Sequence, residues 1–396
     1  MADGERQPDP LPPHANAAAR MLRWCEHMLA DAAQRLGTSP DVLKRIGRSY
    51  GIAALAGALF VWFGLPLPWL LGPLTVALIF CVMERPLAQP HALVLPVRSL
   101  LGVAVGSSFT PDLVDKAGAA TVSLLLLIPY TLLITTMGMA LLVRFAKFDK
   151  PTAFFSAAPG GLSDMIIYAQ DSGANIRRVT LVQAARVLVI VFTLPFWLQF
   201  IGGLPLGGAV PRTLHIWQLT LGDAAAIAFM AWAGWRIADR LGLVGGSIVG
   251  PMLMSALAHG FGLTAAKVPI EIIVLAQVTL GIVIGAQFTG ISLSEFVTVL
   301  SWGLVFALLL VIAAGAMALS VAALTGLDAT SLLLSYAPGG QNEMAIMGLI
   351  LGIDVAIIAL HHLLRVVMVV IGAQLVFQAN PGWRTGEPQG KKDAGS

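Results

Sequence analysis

Charge is scarce in this sequence. Asp, Glu, Lys and Arg make up 11% of 396 residues, and 18 of those 45 side chains lie in residues 1–48 and 379–396. The 330 residues between them carry only 27, where an average soluble domain would be roughly a quarter charged. That scarcity excludes a water-soluble enzyme or a soluble DNA-binding regulator as the main body. Cysteine is nearly absent: Cys25 and Cys81 are the only two, too few for a disulfide framework or a thiolate metal site. The seven histidines include no His-x-x-x-His or comparable ligand spacing, so no metal site is expected. No phosphate-binding loop, dinucleotide fingerprint or nucleophile elbow occurs either. No catalytic residue and no cofactor is expected, and the chain does not read as an enzyme.

What the sequence has in abundance is long apolar runs, with a mean hydropathy of +0.83. Residues 119–143, 187–211, 241–266, 272–294 and 296–327 contain no charge, and each reaches the ~20 residues that cross a bilayer as a helix. The run from Ser49 to Met83 is too long for one span and is split by Pro66 and Pro68. Runs of this length exclude an outer-membrane barrel, whose strands are short and alternate. Residues 1–48 are Pro-rich and charged, unlike a secretion signal. The basic pI of about 9.0 fits tails and loops beside a membrane, so nucleic acid is not an expected partner.

The chain repeats itself. Ser156-Ala-Ala-Pro-Gly-Gly-Leu-Ser-Asp-Met165 matches Ser335-Tyr-Ala-Pro-Gly-Gly-Gln-Asn-Glu-Met344 at six of ten positions, 179 residues on. At the same offset Gly102-Val-Ala-Val-Gly106 meets Gly281-Ile-Val-Ile-Gly285, Asp149 meets Asp328, and Arg186 meets Arg365. At an offset of 178, Gly72-Pro73 meets Gly250-Pro251. So many ordered matches mark a duplication. The first half reads as helices over about 50–65, 67–83, 93–110, 118–143 and 179–202, with a broken segment over 151–172. The second reads as 224–241, 246–262, 269–290, 296–325 and 354–378, with a break in 328–351.

Lys and Arg concentrate on the cytoplasmic side of membrane proteins, so they bear on whether the broken segments cross or re-enter. With residues 1–48 inside and both broken segments re-entrant, eight loop cations fall inside and three outside. If the segments cross, the same eleven split six to five. Re-entry also gives five crossings per half, an odd number, so the expected fold is all-α integral membrane with two inverted repeats. Inverted repeats with Pro/Gly breaks at matching positions point to a secondary transporter's binding site. Unwound backbone survives at membrane depth only where protein or a water-filled cavity satisfies it, and each break exposes a helix N-terminus suited to an anion.

The candidate substrate- or ion-binding residues are therefore Pro159, Gly160, Gly161, Ser163, Asp164 and Arg186, with their partners Pro338, Gly339, Gly340, Asn342, Glu343 and Arg365. Charges inside spans are costly and default to functional candidates. Asp164 and Glu343 either handle an ion, proton or substrate, or only complement a helix dipole. Ser163 and Asn342 are suited to capping. Arg186 and Arg365 either hold an anion or neutralise Asp164 and Glu343; snorkelling to the interface is a third role. Arg98 aligns with neutral Gln277, which argues against a symmetric role. The Gly-x-x-x-Gly pairs suit close helix contact. His361 and His362 align with Val182 and Gln183 and, about 100° apart on a helix, read as polar packing rather than a chelate.

With Ala158-Pro-Gly-Gly-Leu-Ser-Asp-Met165, Ala337-Pro-Gly-Gly-Gln-Asn-Glu-Met344, Trp69-Leu-Leu-Gly-Pro73 and Gly246-Ser-Ile-Val-Gly-Pro251, the chain resembles the AbrB family of duplicated bacterial membrane proteins over about residues 50–378. Members of that family carry labels as regulators of gene expression or as ammonia monooxygenases. The family is distantly similar to the cation:proton antiporter and anion-transporter group, which implies inverted repeats with broken helices. The monooxygenase label needs a His and carboxylate cluster that this sequence does not offer.

The expected organisation is a polar basic cytoplasmic segment over 1–48, membrane repeats over 49–202 and 223–378 joined by a linker at 203–222, and a basic cytoplasmic tail over 379–396. The expected function is secondary transport of a small solute, an organic anion by preference, coupled to protons or sodium; a membrane sensor or regulator is the alternative. The expected setting is the bacterial inner membrane, multi-pass, with both termini cytoplasmic. Expected partners are the lipid bilayer, the solute and its coupling ion, and self-association into a homo-oligomer is compatible with the sequence.

Overall fold

The computed structural model describes residues 39–110, 113, 115–160, 162–207, 213–243, 245–380 and 383. Every regular element among them is helical. The first half holds α1 (Pro40–Trp62), α2 (Pro68–Val82), α3 (His91–Gly106), α4 (Ala117–Arg144), α5 (Lys150–Ala157), α6 (Leu162–Asp171) and α7 (Ile176–Phe200). The second holds α8 (Leu221–Arg240), α9 (Gly246–Gly260), α10 (Ile270–Ala286), α11 (Leu293–Thr325), α12 (Ala329–Tyr336), α13 (Gln341–Leu351) and α14 (Val355–Ala379). Each helix has its counterpart seven places on.

Local chemistry sets the starts. Asp149 and Asp328, equivalent in the repeat, accept from the backbone N–H of Thr152 at 3.0 Å and of Ser331 at 2.6 Å. Asn175 does the same for Arg178 at 3.0 Å, satisfying N–H groups that a helix leaves free. The first helix begins at Pro40, ahead of the expected start near 50. Ser39 caps it, Pro40 fills its first position and Asp41 sits in its first turn. Those are start signals that the neighbouring Lys44, Arg45 and Arg48 disguise as tail.

Four helical stretches are long and apolar enough to cross a membrane: α4, α7, α14 and Ser301–Thr325 of α11. Helices α2, α3 and α10 are apolar but only 15, 16 and 17 residues long. This is the make-up of an all-helical membrane protein. Only a third of the apolar window of α4 and of α11 is buried, against 72% for α7. The equivalent pair α4 and α11 is therefore peripheral, with Leu132, Leu133, Ile312 and Leu319 turned outward, while α7 runs through the interior.

The halves interlock through the Gly-x-x-x-Gly segments. A Cβ on Gly102 would lie 2.4 Å from the Ile248 carbonyl oxygen, and one on Gly106 would lie 2.3 Å from that of Met252. Reciprocally, a Cβ on Gly281 would lie 2.6 Å from the Leu70 carbonyl oxygen, and one on Gly285 would lie 2.6 Å from Ala77 Cβ. Thus α3 packs on α9 just as α10 packs on α2, and each pair runs side by side in the same direction. Only glycine permits such backbone approach. Gly106→Val is expected to lower the melting temperature through overpacking of about 1–3 kcal/mol. Gly118→Val, where nothing lies within 4 Å, should leave it nearly unchanged.

Both broken segments fold back on themselves. Helix α5 stops at Ala157 and α6 starts at Leu162, and the backbone N–H of Asn175, beyond α6, donates to Thr152 Oγ1 at 2.8 Å. In the second half the N–H of Asp354 donates to the equivalent Ser331 Oγ at 3.3 Å. Each segment is thus a hairpin whose end returns to its start, with Pro159-Gly160 at the first tip and Pro338-Gly339-Gly340 at the second.

Candidate functional site

Proline at the tip has no N–H to donate and blocks helix continuation, so the carbonyls of the preceding turn lose their helical partners. Charged side chains from the following helix take them up. Arg186 on α7 donates from Nη1 to the Ala158 carbonyl at 3.2 Å. Arg365 on α14 donates from Nη1 to the carbonyls of Ser335, Tyr336 and Ala337 at 3.4, 3.3 and 3.2 Å. The two arginines are 3% and 2% exposed. A buried guanidinium held by carbonyls, rather than by a carboxylate, remains a net positive charge.

A second residue one turn earlier completes each arrangement. Gln183 Nε2 donates to the Phe155 carbonyl at 2.6 Å, and its Oε1 accepts from Arg186 Nη2 at 3.3 Å. His362 Nε2 bonds the Leu334 carbonyl at 3.0 Å, and its Nδ1 accepts from Arg365 Nη2. Phe155 and Leu334 are equivalent in the repeat, as are Gln183 and His362.

Each tip packs against the long helix that follows the other hairpin. A Cβ on Gly160 would lie 2.9 Å from Val369 on α14, and one on Gly339 would lie 3.1 Å from Ile190 on α7; Val369 and Ile190 are again 179 residues apart. Between and beside the tips opens a cavity of about 400 Å³. Of the sequence-derived candidates, Pro159, Gly160, Arg186, Gly339, Gly340, Asn342, Glu343 and Arg365 line it. Pro338 sits at the second tip beside them, between Ala337 and Gly339. Gly161 and the side chains of Ser163 and Asp164 lie outside the described residues.

Glu343 is 4% exposed, in the first turn of α13. A Cβ on Gly340 would lie 1.7 Å from its Oε2, so the carboxylate folds back over the helix N-terminus, where the dipole favours it. No ion pair joins it to Arg365, whose described partners are hairpin carbonyls and His362; the reading of a neutral Arg365–Glu343 bridge is corrected on that ground. Asn342 is not the cap: Gly340 holds that position without a side-chain bond, because the break ends two residues earlier than a cap at Asn342 requires.

Arg98 is the residue that sequence reasoning passed over. It lines the cavity, its Nε is buried without a partner, and its charge acts on the Glu343 carboxylate. The signal was an arginine inside the apolar segment 93–110; the neutral Gln277 opposite it in the repeat obscured it. His361 points elsewhere: Nδ1 bonds the Ile357 carbonyl at 2.8 Å and Nε2 bonds Ser123 Oγ at 2.7 Å, beside Tyr336. Both rings are buried and bonded on both nitrogens. Among the described residues, no group of three His, Cys, Asp or Glu is placed to hold a metal ion.

Comparison with known proteins finds relatives over most of the chain. The chain is 27% identical to the uncharacterized protein YhjN of Bacillus subtilis (strain 168) over 347 residues, covering 81% of this chain and 88% of that protein. It is 26% identical over 317 residues to the regulator candidate AbrB of Escherichia coli (strain K12), covering 79% and 89%. Residues 69–380, which include both hairpins and the whole cavity wall, match the family described as "Transition state regulatory protein AbrB". The chain belongs to the AbrB family.

Proposed function

We propose that this protein is a secondary transporter of a small organic anion, with the cavity between the hairpin tips as its alternating-access site. One observation carries the reading. Among the described residues, Arg98, Arg186 and Arg365 face the cavity against the single carboxylate of Glu343. Buried cations in excess call for an anionic guest, and a cavity of about 400 Å³ is within the range of small-molecule sites. Pro159, Gly160, Gly339 and Gly340 in the wall of a cavity that also holds charged side chains fit the broken helices of transporters.

The order of contacts supports opposed repeats. Along α7 come the base of the first hairpin at Asn175, its tip at Arg186, and then the second tip at Ile190. Along α14 come the base of the second hairpin at Asp354, its tip at Arg365, and then the first tip at Val369. Tips met in opposite order favour antiparallel helices α7 and α14, with the hairpins entering from opposite faces. The loop charges favour the same arrangement, and Asp164 and Glu343 are then the coupling acids.

A single cysteine tests this. With Cys25 and Cys81 replaced by serine, Trp217→Cys in the exposed linker is expected to react with a membrane-impermeant maleimide added outside intact cells. Labelling only in inverted vesicles would make the halves parallel and remove the main support for alternating access. The name of the Escherichia coli relative favours a second reading, a membrane regulator. Deleting residues 1–38, ahead of α1, should then abolish regulation and spare anion uptake.

A further inference from the structure

We propose that Gln183 and His362 are equivalent positioning residues, each aiming one cavity arginine by accepting an N–H from it while donating another to its own hairpin. The chemistry of the partners fixes the atoms. A backbone carbonyl can only accept and a guanidinium can only donate. His362 must therefore carry its proton on Nε2, toward the Leu334 carbonyl, and present a bare Nδ1 to Arg365. Gln183 must turn its NH₂ to the Phe155 carbonyl and its oxygen to Arg186.

A neutral Nε2–H imidazole and a primary amide thus offer the same donor and acceptor in the same order. This accounts for two chemically unlike residues at equivalent places in a duplicated frame. It also gives His362 a role as a neutral ring rather than as a metal ligand or a proton carrier. The arrangement leaves Arg186 Nε buried without a protein partner in a side chain that lines the cavity, so an N–H stays free for a guest.

The consequence is an unusual exchange rule. At 362 glutamine should replace histidine, and at 183 histidine should replace glutamine, while apolar residues of similar size should fail at both. The functional half of the inference rests on the anion-site reading, so two measurements separate their fates. In the full-length protein in nanodiscs with ¹⁵N-labelled histidine, the resonance lost in His362→Gln is expected to be a neutral ring protonated at Nε2. A ring protonated at Nδ1, or at both nitrogens at neutral pH, would overturn the inference whether or not the protein binds anions.

The second measurement is thermal stabilisation by succinate, a dicarboxylate whose two ends suit two guanidiniums. His362→Gln and Gln183→His are expected to keep the midpoint of stabilisation within about twofold of wild type. His362→Leu and Gln183→Leu should raise it about tenfold or more, one charge-assisted hydrogen bond's worth. Equal losses in His362→Gln and His362→Leu, or none in either, would overturn the inference. Should wild type ignore succinate and other small carboxylates, the anion reading fails and the tautomer decides the inference alone.

Discussion

Arg365→Met is expected to weaken organic-anion binding by about a hundredfold or more, read as the melting shift across a panel of mono- and dicarboxylates. Hydrogen bonds to a charged group contribute about 1.5–3 kcal/mol each, and every 1.4 kcal/mol is about a factor of ten. The change also strips the carbonyls of Ser335, Tyr336 and Ala337 of their donor, leaving buried acceptors unpaired at about 1–3 kcal/mol apiece. The second hairpin should therefore loosen as binding is lost. Arg365→Lys separates the effects: an ammonium keeps the charge but cannot bridge three carbonyls and His362 together. It should retain weak binding on a destabilised frame. Wild-type affinity in Arg365→Met would remove the anion site.

The second large effect concerns coupling. In proteoliposomes, Glu343→Gln combined with Asp164→Asn is expected to abolish uptake driven by a pH gradient. Exchange of labelled for unlabelled anion at zero gradient should continue. A solute site needs the arginines; a proton- or sodium-driven cycle needs an acid that changes state with the solute, and Glu343 is the described carboxylate of the cavity wall. Gradient-driven uptake that survives in the double variant would assign coupling elsewhere and leave Glu343 as a helix-terminal charge.

Much of the fold could be read before any coordinates. Helices in a membrane must satisfy their own backbone, so uncharged runs and proline breaks delimit them with little help from tertiary packing. The prediction for 118–143 and the observed α4 (Ala117–Arg144) differ by one residue at either end. What the sequence hid depends on contacts. The start of α1 was masked because Lys44, Arg45 and Arg48 belong to a helix yet resemble a solvated tail. The return of Asn175 to Thr152 rests on one hydroxyl that no periodicity announces. Arg186 and Arg365 were visible as candidates, but their partners were not. Pairing arginine with backbone carbonyls leaves no complementary charge in the sequence to find, and the kinship of Gln183 with His362 appears only when donors and acceptors are assigned.

Arg98 carries a consequence of its own. The helical frame repeats closely across the two halves, but the charge does not: Arg98 faces the cavity from the first half, whereas its counterpart Gln277, buried on α10, is neutral. A guest with unlike ends would then have one preferred orientation, because turning it over exchanges a cation for an amide. States open to opposite sides would differ in energy even without a gradient, so the cycle would be biased. On the transporter reading, the duplication would supply the machinery of a reversible carrier, and the difference between Arg98 and Gln277 would give it a resting side.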